Sequence, residues 1–272
     1  MKLGEDFSGG LFRRGYWPDN ATGLWYSLAV AVVLMVLHQA LQAVFVVAGL
    51  MFFKLAPGVT PALTKVALVS IFPASLIVFA LGYWLAGLRG GVRREVLALH
   101  WPRLTPLGVA VLIIGFMLAM YAAIMLIVLV FQVDISQYTP GPHGESPKTG
   151  SAGAVKEAMF DIANTPWLFA LVFPSIAIGA PLAEELIFRG QLFSALSQTR
   201  LGVAGTTVVT AALWSLLHVT EPWLSIGLIF VMGLFFGWMM YRFGSLWLTV
   251  LCHGVWNGFY ALLIFFNAAG VP

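Results

Sequence analysis

The sequence predicts an all-α fold, namely a polytopic transmembrane helical bundle of about seven to eight spans. Of the 272 residues, 60% are hydrophobic and only 9% are charged, whereas an ordinary soluble domain has about 25% charged residues. Several apolar runs also reach the ~20 residues that a helix needs to cross a bilayer. Strands of membrane β-barrels are only about 10 residues long and alternate polar with apolar side chains, so these runs indicate helices.

Seven spans follow one another along the chain. The first is longer than a bilayer requires and is expected to tilt or project, and Pro73 is expected to kink the second. After the third span, residues 132–153 are rich in Pro, Gly and Ser and predict a hydrophilic loop. The predicted spans are 24–53, 62–88, 107–132, 166–184, 203–219, 223–241 and 246–267.

The placement of Lys and Arg predicts that the N-terminus is cytoplasmic, because cytoplasmic loops carry an excess of these residues. If successive spans cross the membrane in alternating directions, ten of the fourteen Lys and Arg residues lie on the same side of the membrane as the N-terminus. They are Lys2, Arg13, Arg14, Arg89, Arg93, Arg94, Arg103, Arg189, Arg200 and Arg242. The other four are Lys54, Lys65, Lys148 and Lys156. No basic stripe suggests nucleic-acid binding, and the single cysteine, Cys252, excludes an intrachain disulfide.

The fourth span ends in a polar cluster, in the stretch AEELIFRG. A charged side chain at the centre of a membrane helix costs about 2.5–3.5 kcal/mol on insertion scales, so such residues usually face a protein interior or a wet cavity. Glu185 and Arg189 are four residues apart and can form an ion pair. Glu184 lies about 100° around the helix from Glu185, and a carboxylate without that partner can act as a base.

Two later stretches carry further polar residues. His218 ends the fifth span, while His253 and Asn257 lie four residues apart in the seventh and share a helix face. Glu184 and His218 each lie 17 residues from Leu201. If the fourth helix continues through Arg189–Gln198, an antiparallel hairpin would place both side chains about 25 Å from the turn, at the same height.

Together these residues resemble a known family. The motifs are Glu-Glu-x-x-x-Arg (184–189), an aromatic residue four before a histidine (Trp214, His218) and His-x-x-x-Asn (253–257). In this order, on successive helices, they are similar to those of the CPBP family, which comprises CAAX proteases, including the Ras-converting endopeptidase, and bacteriocin-processing enzymes. The resemblance covers about residues 166–260. Trp214 stands where the family usually has Phe.

The resemblance implies a glutamate-type intramembrane endopeptidase without metal or organic cofactor. Glu184 and His218 would activate a water, His253 and Asn257 would stabilise the oxyanion, and Glu185 and Arg189 would orient the site. The cavity would open to the cytosol, which is also where the predicted orientation puts the polar hairpin 189–202. The substrate would be a membrane-associated peptide or protein, prenylated in the named family members.

The resemblance also suggests a division of the chain. Residues 1–23 would form a cytoplasmic segment, 24–165 the N-terminal transmembrane helices with the polar loop, and 166–272 the catalytic transmembrane core. The protein would be a multi-pass protein of the cell membrane, or of the endoplasmic reticulum in a eukaryote.

The residues themselves leave three alternatives to a metal-free protease. Glu184, His218 and His253 are ligand types that hold catalytic zinc, although no His-Glu-x-x-His is present. The buried charges could serve a proton- or ion-coupled transporter. The cavity could also bind peptides without cleaving them, as in a bacteriocin-immunity protein.

Two further patterns predict helix packing rather than chemistry. His38 and Gln42 share a face of the first span and are expected to bridge helices. The pairs Gly233/Gly237 and Gly254/Gly258 fit the spacing that lets transmembrane helices approach closely.

Overall fold

The computed structural model describes residues 20–52, 54, 60–133, 158, 161–162 and 164–268. Most of the predicted N-terminal segment and of the 132–153 loop therefore lies outside the described residues. Within the described ranges the chain is helical, apart from turns and one isolated β-bridge. The helices are α1 (Leu24–Phe52), α2 (Thr60–Ala86), α3 (Arg93–Val96), α4 (Pro106–Phe131), α5 (Pro166–Leu196), α6 (Gly202–Leu216), α7 (Trp223–Phe243) and α8 (Leu246–Ala268).

The structure confirms the predicted fold class, an all-α bundle of membrane-spanning helices. Six of the described helices are long and apolar enough to cross a bilayer, namely α1, α2, α4, α5, α7 and α8. The fifth predicted span differs, because α6 has only 15 residues and is about 22 Å long, which is shorter than the ~30 Å hydrocarbon core. The chain thus reaches His218 on a turn after the helix has ended.

The outward surfaces of the bundle are apolar. Val36 on α1 is 64% exposed and Leu129 on α4 is 75% exposed. Contiguous apolar surface of this kind is rare on soluble monomers. In a bilayer, lipid covers such a surface and keeps it from contact with water. The composition and the exposed side chains therefore agree on a multi-pass membrane protein.

Helix α5 continues past the predicted end at residue 184 and carries the polar stretch to Leu196. It contains two π-helical segments, Ser175–Gly179 and Leu186–Leu192, on either side of the α-helical turn Ala180–Glu185. π-Segments are frequent at functional sites. The hairpin that the sequence analysis considered, from α5 through the turn at 197–201 into α6, is present.

The two packing predictions are confirmed. His38 contacts Ser75 on α2 through Nε2 (3.0 Å), and Gln42 contacts His38 Nδ1 (3.3 Å), so this pair joins α1 to α2. A Cβ atom added to Gly233 would lie 2.8 Å from the Ala211 backbone, and one added to Gly254 would lie 2.4 Å from the Ala177 carbonyl oxygen. These glycines thus permit the close contacts of α7 with α6 and of α8 with α5.

Candidate functional site

Glu184 lies on the α-helical turn between the two π-segments of α5. Its side chain is half-buried, and Oε2 accepts a hydrogen bond of 2.6 Å from the indole Nε1 of Trp214. Oε1 takes no part in that bond. One carboxylate oxygen is therefore fixed by α6, and the other is available to a ligand.

His218 follows α6 on a tight turn. Its Nδ1 lies 3.0 Å from the carbonyl oxygen of Trp214. A carbonyl can only accept a hydrogen bond, so Nδ1 carries a proton in this contact and Nε2 is the ring nitrogen left for a ligand. Trp214 thus contacts both polar side chains, Glu184 through its indole and His218 through its backbone carbonyl.

Glu185 faces away from Glu184, into the protein. Its side chain is fully buried, and Oε1 accepts a hydrogen bond of 3.2 Å from Arg189 Nη1, the predicted ion pair. The same oxygen lies 3.1 Å from Nδ1 of His253 on α8. Oε2 has no hydrogen-bond partner among the described residues. This carboxylate therefore links α5 to α8 and fixes the ring of His253.

Arg189 is fully buried and is held by aromatic faces and by α7. Its guanidinium carbon lies 4.6 Å from the Trp214 ring centroid and 5.2 Å from that of Phe236. Nη2 donates to the carbonyl oxygen of Gly233 (3.4 Å). Stacking on aromatic faces suits a guanidinium, which is planar and less strongly hydrated than an ammonium group. Arg189 thus connects the polar network to the aromatic core.

Asn257 is held by a local irregularity in α5. Its Nδ2 donates to the carbonyl oxygen of Ile176 (3.3 Å). In the first π-segment the amide of Ala180 donates to the carbonyl oxygen of Ser175, five residues earlier. By the same spacing, the carbonyl oxygen of Ile176 would accept from residue 181. That residue is Pro181, which has no N–H to donate. The proline therefore leaves a carbonyl for Asn257, whose second amide hydrogen is not used in this bond.

Five of these side chains line a single cavity of about 520 Å³: Glu184, Trp214, His218, His253 and Asn257. Glu185 and Arg189 lie behind its wall. The remaining lining residues are Ile124, Met125, Val128, Val133, Glu221, Leu224, Ser225, Leu228, Ile229, Met232, Trp256 and Tyr260. An apolar chamber with a few converging polar groups is the usual form of a ligand site.

The cavity extends away from the polar hairpin. Part of its lining comes from the C-terminal end of α4 and the residues just after it (Val128, Val133), and part from the turn before α7 and the start of that helix (Glu221, Ser225). Both lie at the end of the bundle opposite the hairpin turn at 197–201, because α4 and α6 run away from that end. The expectation that the cavity opens to the cytosol, beside the polar hairpin, stays a prediction.

The residues that mark the hairpin as polar are mostly buried in the fold. Arg189, Gln191 and Ser194 have relative exposures of 0%, 0% and 1%. Ser194 bonds to Asn20 at the start of α1 (3.0 Å). Polarity in this stretch therefore does not indicate exposure to solvent.

Comparison with known proteins adds a family to this geometry. Residues 166–259, about a third of the chain, match the family model described as Type II CAAX prenyl endopeptidase Rce1-like. This segment is therefore similar to the Rce1-like family. It runs from the start of α5 into α8 and contains all six residues that the sequence analysis assigned to the site. No curated protein and no solved structure matches the chain.

The match makes this segment of the protein similar, at the level of the family, to the membrane-embedded CAAX-type proteases. The motif resemblance seen in the sequence is thereby confirmed. The roles of individual residues are not part of that assignment. They depend on the geometry of the cavity.

Sequence reasoning missed the contribution of Trp214. The sequence analysis treated the residue as an aromatic neighbour of His218, but it also donates to Glu184 and has its ring centroid 5.1 Å from that of His253. The available signal was the amino acid itself, because Trp has an N–H donor that Phe lacks. A tryptophan buried beside a predicted free carboxylate usually finds a partner for that donor.

Proposed function

We propose that this protein is an intramembrane endopeptidase in which Glu184 and His218 activate a water for attack on a peptide bond. The observation that supports it best is the convergence of Glu184, His218, His253 and Asn257 on one cavity inside the segment similar to the Rce1-like family. These side chains supply a base and hydrogen-bond donors, which are the two requirements of peptide hydrolysis.

The reaction proceeds through a tetrahedral intermediate. Water is held by Glu184 Oε1 and His218 Nε2, its oxygen bonds to the carbonyl carbon, and its proton passes to Glu184. The carbonyl electron pair moves onto oxygen. When the C–N bond breaks, the oxyanion re-forms the carbonyl and Glu184 returns the proton to the leaving nitrogen. The products are a carboxylic acid and an amine, and Glu184 is again a carboxylate.

His253 and Asn257 receive the oxyanion in this proposal. The Nδ1 of His253 is engaged by Glu185, which leaves Nε2 for the cavity. A ring carrying both protons donates from Nε2 while Nδ1 stays on the carboxylate. Asn257 keeps one amide hydrogen after its bond to Ile176. Both donors are fixed before substrate binds, the condition under which oxyanion stabilisation is most effective.

Asn257→Ala should lower kcat for peptide cleavage by about 10²–10³-fold, the usual effect of losing one oxyanion donor. KM should change little, because the donor acts on charge that develops in the transition state. The matched control is Ser225→Ala in the same cavity, which should retain nearly full activity. A normal kcat in the Asn257 variant would remove this residue from the mechanism.

Trp214→Phe restores the residue that the family usually has and deletes one donor. A hydrogen bond to a charged group contributes about 1.5–3 kcal/mol, so kcat should fall about tenfold or more when Glu184 loses this donor. The thermal midpoint should fall as well, because Trp214 is buried and its ring lies against the Arg189 guanidinium. Trp238→Phe is the control, since Trp238 packs on Phe243 away from the cavity. Equal kcat for parent and Trp214→Phe would show that the indole does not orient Glu184.

The proposal uses a metal-free, glutamate-type mechanism. Among the described residues, no group of three or more His, Cys, Asp or Glu side chains is arranged to hold a metal ion. Cleavage by purified protein should persist in a strong chelator, and elemental analysis should find no stoichiometric zinc. Loss of activity in chelator with recovery on adding zinc would favour the zinc alternative.

The proposed substrate is a membrane-associated peptide or protein cut near its C-terminus. The cavity is largely apolar around its polar centre, which suits a substrate that arrives through the bilayer. The prenyl requirement is tested by comparing the rates at which purified protein cleaves a prenylated CAAX peptide and the same peptide without the prenyl group.

We also propose that the N-terminus is cytoplasmic and that the protein resides in the cell membrane, or in the endoplasmic reticulum if the source is eukaryotic.

A further inference from the structure

Three arginines line a small pocket where the chain between α3 and α4 meets the end of α7. Arg94 comes from α3, Arg103 from the segment that follows α3, and Arg242 from the last turn of α7. The pocket has a volume of about 170 Å³. The fold thus brings together three guanidinium groups that are far apart in sequence, and we call this the arginine pocket.

Backbone contacts hold the two sides of the arginine pocket together. The amide of Leu246, at the start of α8, donates to the carbonyl oxygen of Ala98 (2.9 Å), beside the β-bridge between Leu99 and Ser245. Helices α7 and α8 are both long and apolar enough to cross a bilayer, so the short turn that joins them lies at a membrane surface. The arginine pocket therefore lies at the depth of the lipid head groups.

The charge of the arginine pocket favours an anion. Among the described residues that line it, none is acidic. Glu95 lies beside it, with Oε1 3.1 Å from Nε2 of His100, and one carboxylate does not balance three guanidinium groups. Nε of Arg242 is buried and has no hydrogen-bond partner among the described residues. Because guanidinium groups bind phosphate through paired hydrogen bonds, the pocket suits a phosphate group.

An apolar groove of about 600 Å³ adjoins the arginine pocket, and Trp101 lines both. The groove follows α8 from Trp247 to Leu262, and Phe173 and Ile178 of α5 belong to its other wall. Helix α8 rises about 22 Å between those two residues, which is more than one leaflet of the ~30 Å hydrocarbon core. An extended acyl chain therefore fits along the groove, with its polar end at the arginine pocket.

Small residues form the floor of the groove. Gly254 and Gly258 of α8 line it, and a Cβ atom added to Gly258 would lie 3.3 Å from that of Ala177. The groove is separate from the cavity of the candidate site, which His253 and Asn257 line from a different face of α8. Among the described residues, none lines both the groove and that cavity.

We propose that the arginine pocket and the groove form one binding site for an anionic phospholipid, whose phosphate contacts the arginines while one acyl chain lies along α8. Basic pockets between transmembrane helices bind the head groups of such lipids. Trp101, which is 61% exposed, lies at the junction, and tryptophan rings are enriched at this membrane interface. A lipid bound here stabilises the contact of α8 with α5 and with the segment before α4. The proposal does not depend on peptide cleavage.

The head-group half is tested by native mass spectrometry of the purified protein in detergent, with lipid titrated in. Phosphatidylglycerol should bind about tenfold more tightly than phosphatidylcholine with the same acyl chains, because the choline cation would face three guanidinium groups. Arg94→Gln combined with Arg103→Gln should weaken phosphatidylglycerol binding about tenfold or more, since two charged donors are lost. The control is Arg200→Gln, an exposed arginine outside the pocket, which should bind like the parent protein. Equal affinity for the two lipids, or an unchanged affinity in the double variant, would overturn the proposal.

The acyl-chain half is tested by filling the groove. Val250 lines it, and Val250→Trp should weaken phosphatidylglycerol binding about tenfold, because each CH₂ group displaced from the groove lowers the affinity. Leu262→Trp, at the other end of the groove, should act in the same direction and guards against a folding defect in the first variant. The matched control is Val111→Trp on α4, which is 60% exposed and lies outside the groove, and it should leave the affinity unchanged.

Competition separates a lipid from other occupants. Glycerol 3-phosphate and inorganic phosphate carry the phosphate but no acyl chain, and in large excess they should leave the lipid bound. Displacement by either would reduce the site to one for free phosphate and overturn the proposal of a lipid. A protein dimer in the same spectra that Val250→Trp abolishes would assign the groove to a second copy of the chain, and would overturn it as well.

Discussion

Glu184→Gln is expected to reduce peptide cleavage by purified protein by about 10²–10⁴-fold, the range attributed to a positioned general base. The amide keeps the shape of the side chain, and its oxygen can still accept the hydrogen bond from Trp214 that holds Glu184 at 2.6 Å. What it loses is the ability to take a proton from water. The assay is initial-rate cleavage of a membrane-anchored peptide in detergent, with the thermal midpoint measured on the same sample.

The matched control is Glu221→Gln. Glu221 is a second carboxylate that lines the same cavity, but it lies on the turn between α6 and α7. This variant should keep activity within about threefold of the parent, since general-base catalysis requires hydrogen-bond reach of the reacting water. If Glu184→Gln retains full activity, or if Glu221→Gln is the inactive one, the assignment of the base is wrong.

Arg189→Met is expected to have the largest effect on stability. The change removes the ion-pair partner of Glu185 and leaves a fully buried carboxylate with His253 as its remaining hydrogen-bond partner among the described residues. Breaking a buried pair in this way costs about 3–5 kcal/mol. The variant should accumulate poorly in membranes, and its thermal midpoint in detergent should fall well below that of the parent.

A double variant separates the cost of the unpaired charge from the loss of packing. Glu185→Gln combined with Arg189→Met leaves no buried charge at the pair and should be more stable than Arg189→Met alone. The exposed Arg200 of the α5–α6 turn provides the control, and Arg200→Gln should leave the midpoint nearly unchanged. An Arg189→Met protein as stable as the parent would show that this buried pair is not structural.

The residues of the candidate site could be predicted from sequence because their pattern is local. Four-residue spacing identified the Glu185–Arg189 pair, and the 100° rotation separated Glu184 from it, as the hydrogen bonds show. Charged residues in apolar helices are costly, so their presence alone indicated an interior site. The membrane class followed from composition for the same reason.

Other features depend on backbone detail that the pattern does not contain. The two π-segments of α5 alter which carbonyls are free, and only the combination of a π-turn with Pro181 leaves the Ile176 carbonyl for Asn257. Helical periodicity assumed a uniform α-helix and could not reveal this. The short length of α6 was hidden as well, because the apolar run continues through the turn that carries His218.

The burial of the polar residues in the hairpin could not be predicted from their polarity. In the stretch from Arg189 to Ser194 the polar side chains are buried, and Arg189 and Ser194 are hydrogen-bonded to other parts of the chain. The lining of the cavity includes apolar residues of α4 and α7, with Glu221 and Ser225 near them. A sequence of apolar helices does not distinguish a lipid-facing residue from one that lines a cavity.

The central claim is that Glu184 and His218 meet His253 and Asn257 around a single peptide bond. An experimental structure with a membrane-anchored phosphinate peptide tests it most directly, since this group mimics the tetrahedral intermediate and transition-state analogues bind far more tightly than substrates. One phosphinate oxygen should lie within hydrogen-bond distance of Glu184 and His218, and the other within the same distance of His253 and Asn257. A phosphinate bound elsewhere, or within the cavity but out of reach of either pair, would contradict the account.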